Sequence, residues 1–269
     1  MSDEAKHGGF AEGFFVDPME RDPRHIARDA GRSSRVKRFY ASAGIALAEA
    51  GFNVTLDGRP VKTPARKPLW APNEVIAAAL AAEWNGQGAE IDPATMPLTR
   101  MVNSALDGVA AQMAEVEADV AKYAESDLVC YRAADPDRLV VAQREAWDPY
   151  VAFARDLFGA RLALIEGAMF QAQSAEALSA LAAGVRAFVG AGEAAPLRLA
   201  GLHTMTTLTG SCVIALAAAL RRASVEDAWR AAHVDEDFQI AAWGADAEAQ
   251  ARRAARFADM RAAAALAGA

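Results

Sequence analysis

Cysteine is almost absent from this chain: 269 residues contain two, Cys130 and Cys212, far apart in sequence. That excludes a disulfide framework and a Cys-x-x-Cys metal or redox pair, and it suits a reducing compartment. Histidine is scarce as well. His7, His25, His203 and His233 show no i, i+4 pairing and no HExxH pattern, so no metal site or metal cofactor is expected. Long apolar runs are missing. The longest, from Cys212 to Leu220, falls well short of the roughly 20 residues that span a bilayer, and the N-terminal MSDEAKHGGF carries no apolar signal core. No membrane insertion is expected, and a cytoplasmic location follows. Excess positive charge is missing too: the formal net charge is −7, which disfavours nucleic acid as a partner. Neither GxxxxGK[ST] nor a strand-borne GxGxxG is present, and GxSxG is absent, so phosphate-cradling and nucleophile-elbow chemistry have no place to sit.

What is present points to a globular, mainly helical chain. Hydrophobic residues reach 53% and charged residues 23%, an ordinary globular balance, and alanine, the best intrinsic helix former, supplies about a quarter of the chain. The length allows one or two domains. Residues 1–35 are charged and irregular and read as a flexible arm. Its end carries a basic run (Arg28, Arg32, Arg35, Lys37, Arg38), either a solvated face or a contact for an acidic partner.

A strand-like pattern follows. Phe52–Leu56 alternates apolar and polar, then Asp57-Gly58 supplies a type I′ hairpin signal before Arg59–Thr63. Pro60 cannot donate to a ladder and belongs at an edge or bulge. A strand near Phe39–Leu47 and a short one near Pro68–Trp70 would complete a small antiparallel sheet. A helix from Pro72-Asn73-Glu74 would cover it with a stripe of Val75, Ala78, Ala79, Ala82 and Trp84, ending at Gly86 and Gly88.

Beyond Pro93 the pattern is helical almost throughout. Leu98, Met101, Val102, Ala105 and Val109 keep helical spacing after Pro97, and a further stretch runs from Ala111 toward Tyr131. Asp135-Pro136 and Asp148-Pro149 each read as a helix start, the second helix closing at Gly159, with a short strand at Arg161–Ile165. Ser174–Val189 is helical. Pro196–Leu220, apolar on most faces, reads as one buried central helix. Ser224 looks like an N-cap, and a last stretch from about Glu236 ends in a soft tail. The expected fold class is α+β: a small N-terminal α/β two-layer domain (antiparallel sheet plus helix, 36–93) and a larger C-terminal orthogonal helical bundle (94–269).

Few constellations suggest chemistry. His203 reads as a core histidine, Ser211 as a small packing residue, and both cysteines as buried small hydrophobes. The acidic cluster Asp235-Glu236-Asp237 is more informative. Glu236, Gln239, Ile240 and Trp243 share one helical face, a carboxylate, an amide and an indole suited to a partner's backbone or arginine, or else a solvated edge over a packed tryptophan. Trp84 is either a core cap or a platform at the domain junction. A carboxylate-dependent hydrolase or lyase remains the alternative, using Asp235–Asp237 with His203 or His233.

Seven segments in order carry a resemblance: Asn53–Pro64 (NVTLDGRPVKTP), Ala81–Gln87 (AAEWNGQ), Met96–Asp107 (MPLTRMVNSALD), Tyr123–Arg132 (YAESDLVCYR), Trp147-Asp148-Pro149, Leu208–Ala217 (LTGSCVIALA) and Asp235–Gly244 (DEDFQIAAWG). Together they resemble the "Atp-twelve" family of mitochondria and alphaproteobacteria, assembly chaperones for the α subunit of the ATP synthase catalytic head. The resemblance runs from about Arg38 to Arg253. It implies a non-enzymatic protein that binds the unassembled α subunit, shields the surface later given to the β subunit, and releases it into the hexamer. It also implies partner contacts at Glu236 in the E-x-x-Q-x-x-x-W-G segment, with Gln239, Trp243 and Asp235, and at Trp84 in the E-W-x-x-Q segment. Ala245, where the family carries an acidic residue before the aspartate, is a departure.

Overall fold

The Asp57-Gly58 pair turns the chain as its chemistry requires, with φ of +48° and +78°. It joins β2 (Gly51–Leu56) to β3 (Arg59–Pro60), and β2 also pairs antiparallel with β1 (Ala43–Ala48) and β4 (Trp70–Ala71). Pro60 thus lies in an outer strand. The computed structural model describes residues 36–167 and 171–269. The expected arm 1–35, with Arg28, Arg32 and Arg35, and His7 and His25, lies outside the described residues.

The first strand starts later than the sequence suggests, at Ala43 rather than Phe39. Tyr40 is pulled inward, its hydroxyl donating to the Trp84 carbonyl at 2.6 Å, and the Arg38 guanidinium donates to the carbonyls of Tyr40, Ala41 and Gln87. These bonds hold the segment off the ladder. Helix α1 (Glu74–Asn85) is capped by Asn73, whose Oδ1 accepts from the Ile76 N–H at 3.0 Å. It covers the sheet with Ile76, Ala77, Leu80 and Ala81, while Val75, Ala78, Ala79 and Ala82 face outward, against the expected stripe. Alanines on both faces blur the pattern, so the two large side chains, Ile76 and Leu80, decide which face goes down. Helix α2 (Pro97–Asp107) buries Leu98, Met101, Val102 and Ala105 as expected. Glu83 of α1 accepts from the backbone N–H groups of Leu98 and Thr99, both at 2.8 Å, and so caps α2 with a carboxylate where the helix dipole favours one.

The bundle continues through α3 (Met113–Lys122), α4 (Asp137–Phe158), α5 (Ala175–Val189), α6 (Ala195–Thr209), α7 (Cys212–Ala219), α8 (Val225–Ala232), α9 (Val234–Trp243) and α10 (Ala247–Ala267). A two-residue parallel pair, β5 (Tyr131–Arg132) and β6 (Ile165–Glu166), flanks α4. The helices depart from the sequence expectation at three places. Pro149 lies inside α4 and opens no new helix. An internal proline costs about 3 kcal/mol, but Trp147 and Tyr150 on either side are buried, and Trp147 Nε1 donates to the Ala231 carbonyl at 2.7 Å. Pro196–Leu220 is two helices. Gly210 at φ +66° ends α6, and Ser211, read as a packing residue, caps α7 by accepting from the Ile214 N–H at 2.9 Å. The last stretch breaks at Gly244, φ +89°, and its end is not soft: Met260, Ala263, Leu266 and Ala267 are buried. There α10 lies against α6 so closely that a Cβ on Gly201 would stand 2.5 Å from the Ala263 carbonyl oxygen.

Candidate functional site

A groove of about 1840 Å³ is bounded by one side of α1 (Ala79, Ala82, Glu83), the start of α2, and helices α8, α9 and α10. Its most unusual wall is α9. The helix buries none of its ten residues, and Trp243 is 89% exposed. Three carboxylates in the first turn suit the positive end of the helix dipole. Two of them also anchor it. Asp235 accepts from Gln143 Nε2 of α4 at 2.7 Å, and Asp237 pairs with Arg253 of α10. His233 completes the anchor: its Nδ1 lies 2.7 Å from the Trp229 carbonyl and its ring 3.9 Å from the Trp229 ring. Burial holds the His233 pKa below its ordinary value.

With its base fixed, α9 turns Glu236, Gln239, Ile240 and Trp243 into the groove together. Asp235 is not among them and points to α4. Trp84 is not there either. It is half-buried, edge-on to Tyr40 at 5.7 Å between ring centroids, the position of a core cap. The opposite wall was not foreseen. Along α10, Arg252, Arg253, Arg256 and Arg261 alternate with alanines around Phe257. Arg252 pairs with Glu248 at 2.6 Å, Arg261 lies over the Phe257 ring at 5.4 Å, and Arg256 is exposed without an ion pair among the described residues. The arginine spacing at i, i+3 and i, i+4 is visible in the sequence, but only the fold reveals which face it shares with Trp243.

Of the two histidines named for hydrolytic chemistry, only His233 lines the groove with the acidic cluster. His203 is buried in α6 and bonded through Nε2 to Asp119 at 2.9 Å, outside the groove lining. In the groove, His233 Nε2 stands 3.9 Å from Glu236, while its other nitrogen is held by Trp229. Among the described residues, no group of three His, Cys, Asp or Glu side chains could hold a metal ion, and no helix is long and apolar enough to cross a membrane. Cys130 and Cys212 are fully buried, and burial pushes the Cys130 thiol up to about 12.

One polar residue of consequence escaped the sequence reading. Asp127 is fully buried and accepts from the backbone N–H groups of Val129 at 3.2 Å and Val213 at 3.1 Å. It caps α7 from a distant loop, and burial pushes its carboxyl up to about 6. Its place is structural, since its bonds are all internal to the bundle.

An α+β chain with an exposed groove that mixes aromatic, amide and charged groups has a surface suited to binding proteins. Comparison with known proteins defines that class as a chaperone. Residues 37–155 match the family described as ATP12 chaperone protein. The crystal structure of the Atu1473 protein of Agrobacterium tumefaciens superposes with a TM-score of 0.81 at 42% identity, covering 93% of this chain and 91% of that one. The crystal structure of Atp12 from Paracoccus denitrificans gives 0.75 at 39% identity, covering 86% and 97%, and an aspartate-to-lysine variant of it gives 0.76. The chain belongs to the ATP12 chaperone family.

Proposed function

We propose that this protein holds the unassembled α subunit of the ATP synthase catalytic head, keeps it from aggregating, and delivers it for α/β hexamer assembly. The observation that carries this reading is the outer face of α9, where Trp243 stands in water beside Glu236 and Gln239 on a helix with no buried residue. Covering an exposed tryptophan removes roughly 200 Å² from water, about 5 kcal/mol before the costs of association. Exposed indoles next to arginines are the usual anchors of protein interfaces. The same wall is polar enough for the client to leave again when the β subunit competes for it.

In this reading Glu236, Gln239 and Trp243 touch the client, while Asp235 and Trp84 position the elements that carry them. Residues 36–93 and 94–269 act as two units that share the groove, the protein works in the cytoplasm, and it changes no bonds. The test is light scattering of refolding α subunit. The wild-type protein in molar excess suppresses turbidity; unchanged turbidity would sink the reading. Glu236→Lys loses most of that suppression while its stability stays within about 0.5 kcal/mol of wild type, as for a surface substitution. A large loss of Tm instead would make Glu236 structural.

A further inference from the structure

The outer edge of β1 is a second surface of interest. Val54 of β2 donates to the Leu69 carbonyl at 3.0 Å and accepts from the Val61 N–H at 2.8 Å, so both its backbone groups face away from β1. Ile45 is its register partner. The N–H and C=O of Ile45 therefore point outward, and by the alternation of an antiparallel ladder so do those of Ala43 and Leu47. Ala43 shows what such an edge accepts. Its N–H donates to Asn85 Oδ1 and its C=O accepts from Asn85 Nδ2, both at 2.8 Å, the pattern a neighbouring strand would make. The outward groups of Ile45 and Leu47 have no partner among the described residues.

Beyond Ala43, the strand's own sequence carries no gatekeeper against pairing. Ala43–Ala48 reads AGIALA, with no charge, no proline and a regular register throughout. Leu47 at its far end is 81% exposed. The edge is also continuous with the groove. Asn85 pins the end of α1 to Ala43, Gly51 brings the start of α1 to the other end of β1 by touching Pro72, and α1 therefore runs along the edge. Its outward side is Val75, Ala78, Ala79 and Ala82, and the last two line the groove. Glu49, in the turn that follows β1, and Glu74, the first residue of α1, are exposed at the end of the strand away from Asn85.

We propose that the free edge of β1 receives an extended segment of the client as an added strand, pairing with Ile45 and Leu47 through its backbone and placing a lysine or arginine at its end near Glu49 and Glu74. The proposal rests on the α-subunit reading above and adds a second contact to it. A row of alternating donors and acceptors selects an extended backbone, and an unassembled subunit exposes such strands.

Leu47→Pro tests it. The proline removes only an outward donor and places its ring where the incoming strand would lie, leaving the ladder to β2 intact. Leu47→Ala keeps the donor. We expect Leu47→Pro to weaken α-subunit holding about tenfold, the worth of roughly one net hydrogen bond, and Leu47→Ala to stay within about twofold. A Leu47→Pro protein that holds the α subunit as tightly as wild type overturns the proposal. Should that variant fail to fold, amide exchange on the wild-type complex decides: slowed exchange at Ile45 and Leu47 on binding supports the added strand, and unchanged exchange overturns it. A wild-type protein that does not hold the α subunit is a separate result, which removes the functional reading and this edge contact with it.

Discussion

Helices α6 and α9 come from the same bundle and obey opposite rules. Ten of the fifteen residues of α6 are buried, and its Gly201 sits where any Cβ would collide with the backbone of α10. None of the ten residues of α9 is buried, and its tryptophan faces solvent. Both are regular helices, so backbone geometry does not separate them. What differs is where the holding bonds lie. In α6 every side contributes contacts. In α9 they gather at the base, through Asp235, Asp237 and His233, and leave the outer face unspent. A rigid base under an open face is how a surface can be presented without being part of the core.

The comparison breaks first at Gly201. Gly201→Ala forces α6 and α10 apart, since the new carbon meets backbone atoms at 2.5 and 2.6 Å that no side-chain rotation can clear. We expect a loss of about 3 kcal/mol and a fall in Tm on the order of 10 °C, read by calorimetry. A Tm within a degree of wild type would show that the two helices slide apart freely. Asp127→Ala comes next. Removing a buried cap that serves the Val129 and Val213 N–H groups should cost about 2 kcal/mol by urea unfolding.

The same residue gives a pH signature. Its folded pKa is raised to about 6 from an ordinary 3.8. The folded state therefore binds this proton more tightly than the unfolded chain, and the contribution is complete below pH 4 and lost as pH rises through 6. Tm measured from pH 4 to 7 should decline less steeply for Asp127→Asn than for wild type, whatever its absolute level. Equal slopes would place the buried carboxyl's titration elsewhere. Trp243→Ala should leave Tm almost unchanged, within about 0.5 kcal/mol, while clearly weakening capture of the proposed α-subunit client. If it melts early instead, α9 belongs with α6.

Much of the fold could be read from local chemistry. Asp57-Gly58, Asn73 and Pro97 mark turns and helix starts that depend on neighbours in the chain alone. Several of the misreadings are a local signal overruled by distant packing. Pro149 stays in a helix because Trp147 and Tyr150 are gripped by the core. The burial of Ala263 and Leu266 is decided by α6, far away in sequence. The stripe on α1 was misplaced because its alanines look alike on every side. For the candidate site, helical spacing brought Glu236, Gln239 and Trp243 onto one face, where the structure also has them. It had no means to turn Asp235 toward Gln143, to fold Trp84 against Tyr40, or to set the arginines of α10 across from Trp243, because each depends on an element with no sequence neighbourhood in common.

The seam between Gly201 and Ala263 has a consequence for the birth of the molecule. During synthesis the flank of Leu199–Met205 has no cover until Met260–Ala267 has been made, some sixty residues later. For that interval the newborn chain exposes apolar surface of its own, so a member of a chaperone family passes through its own unguarded moment.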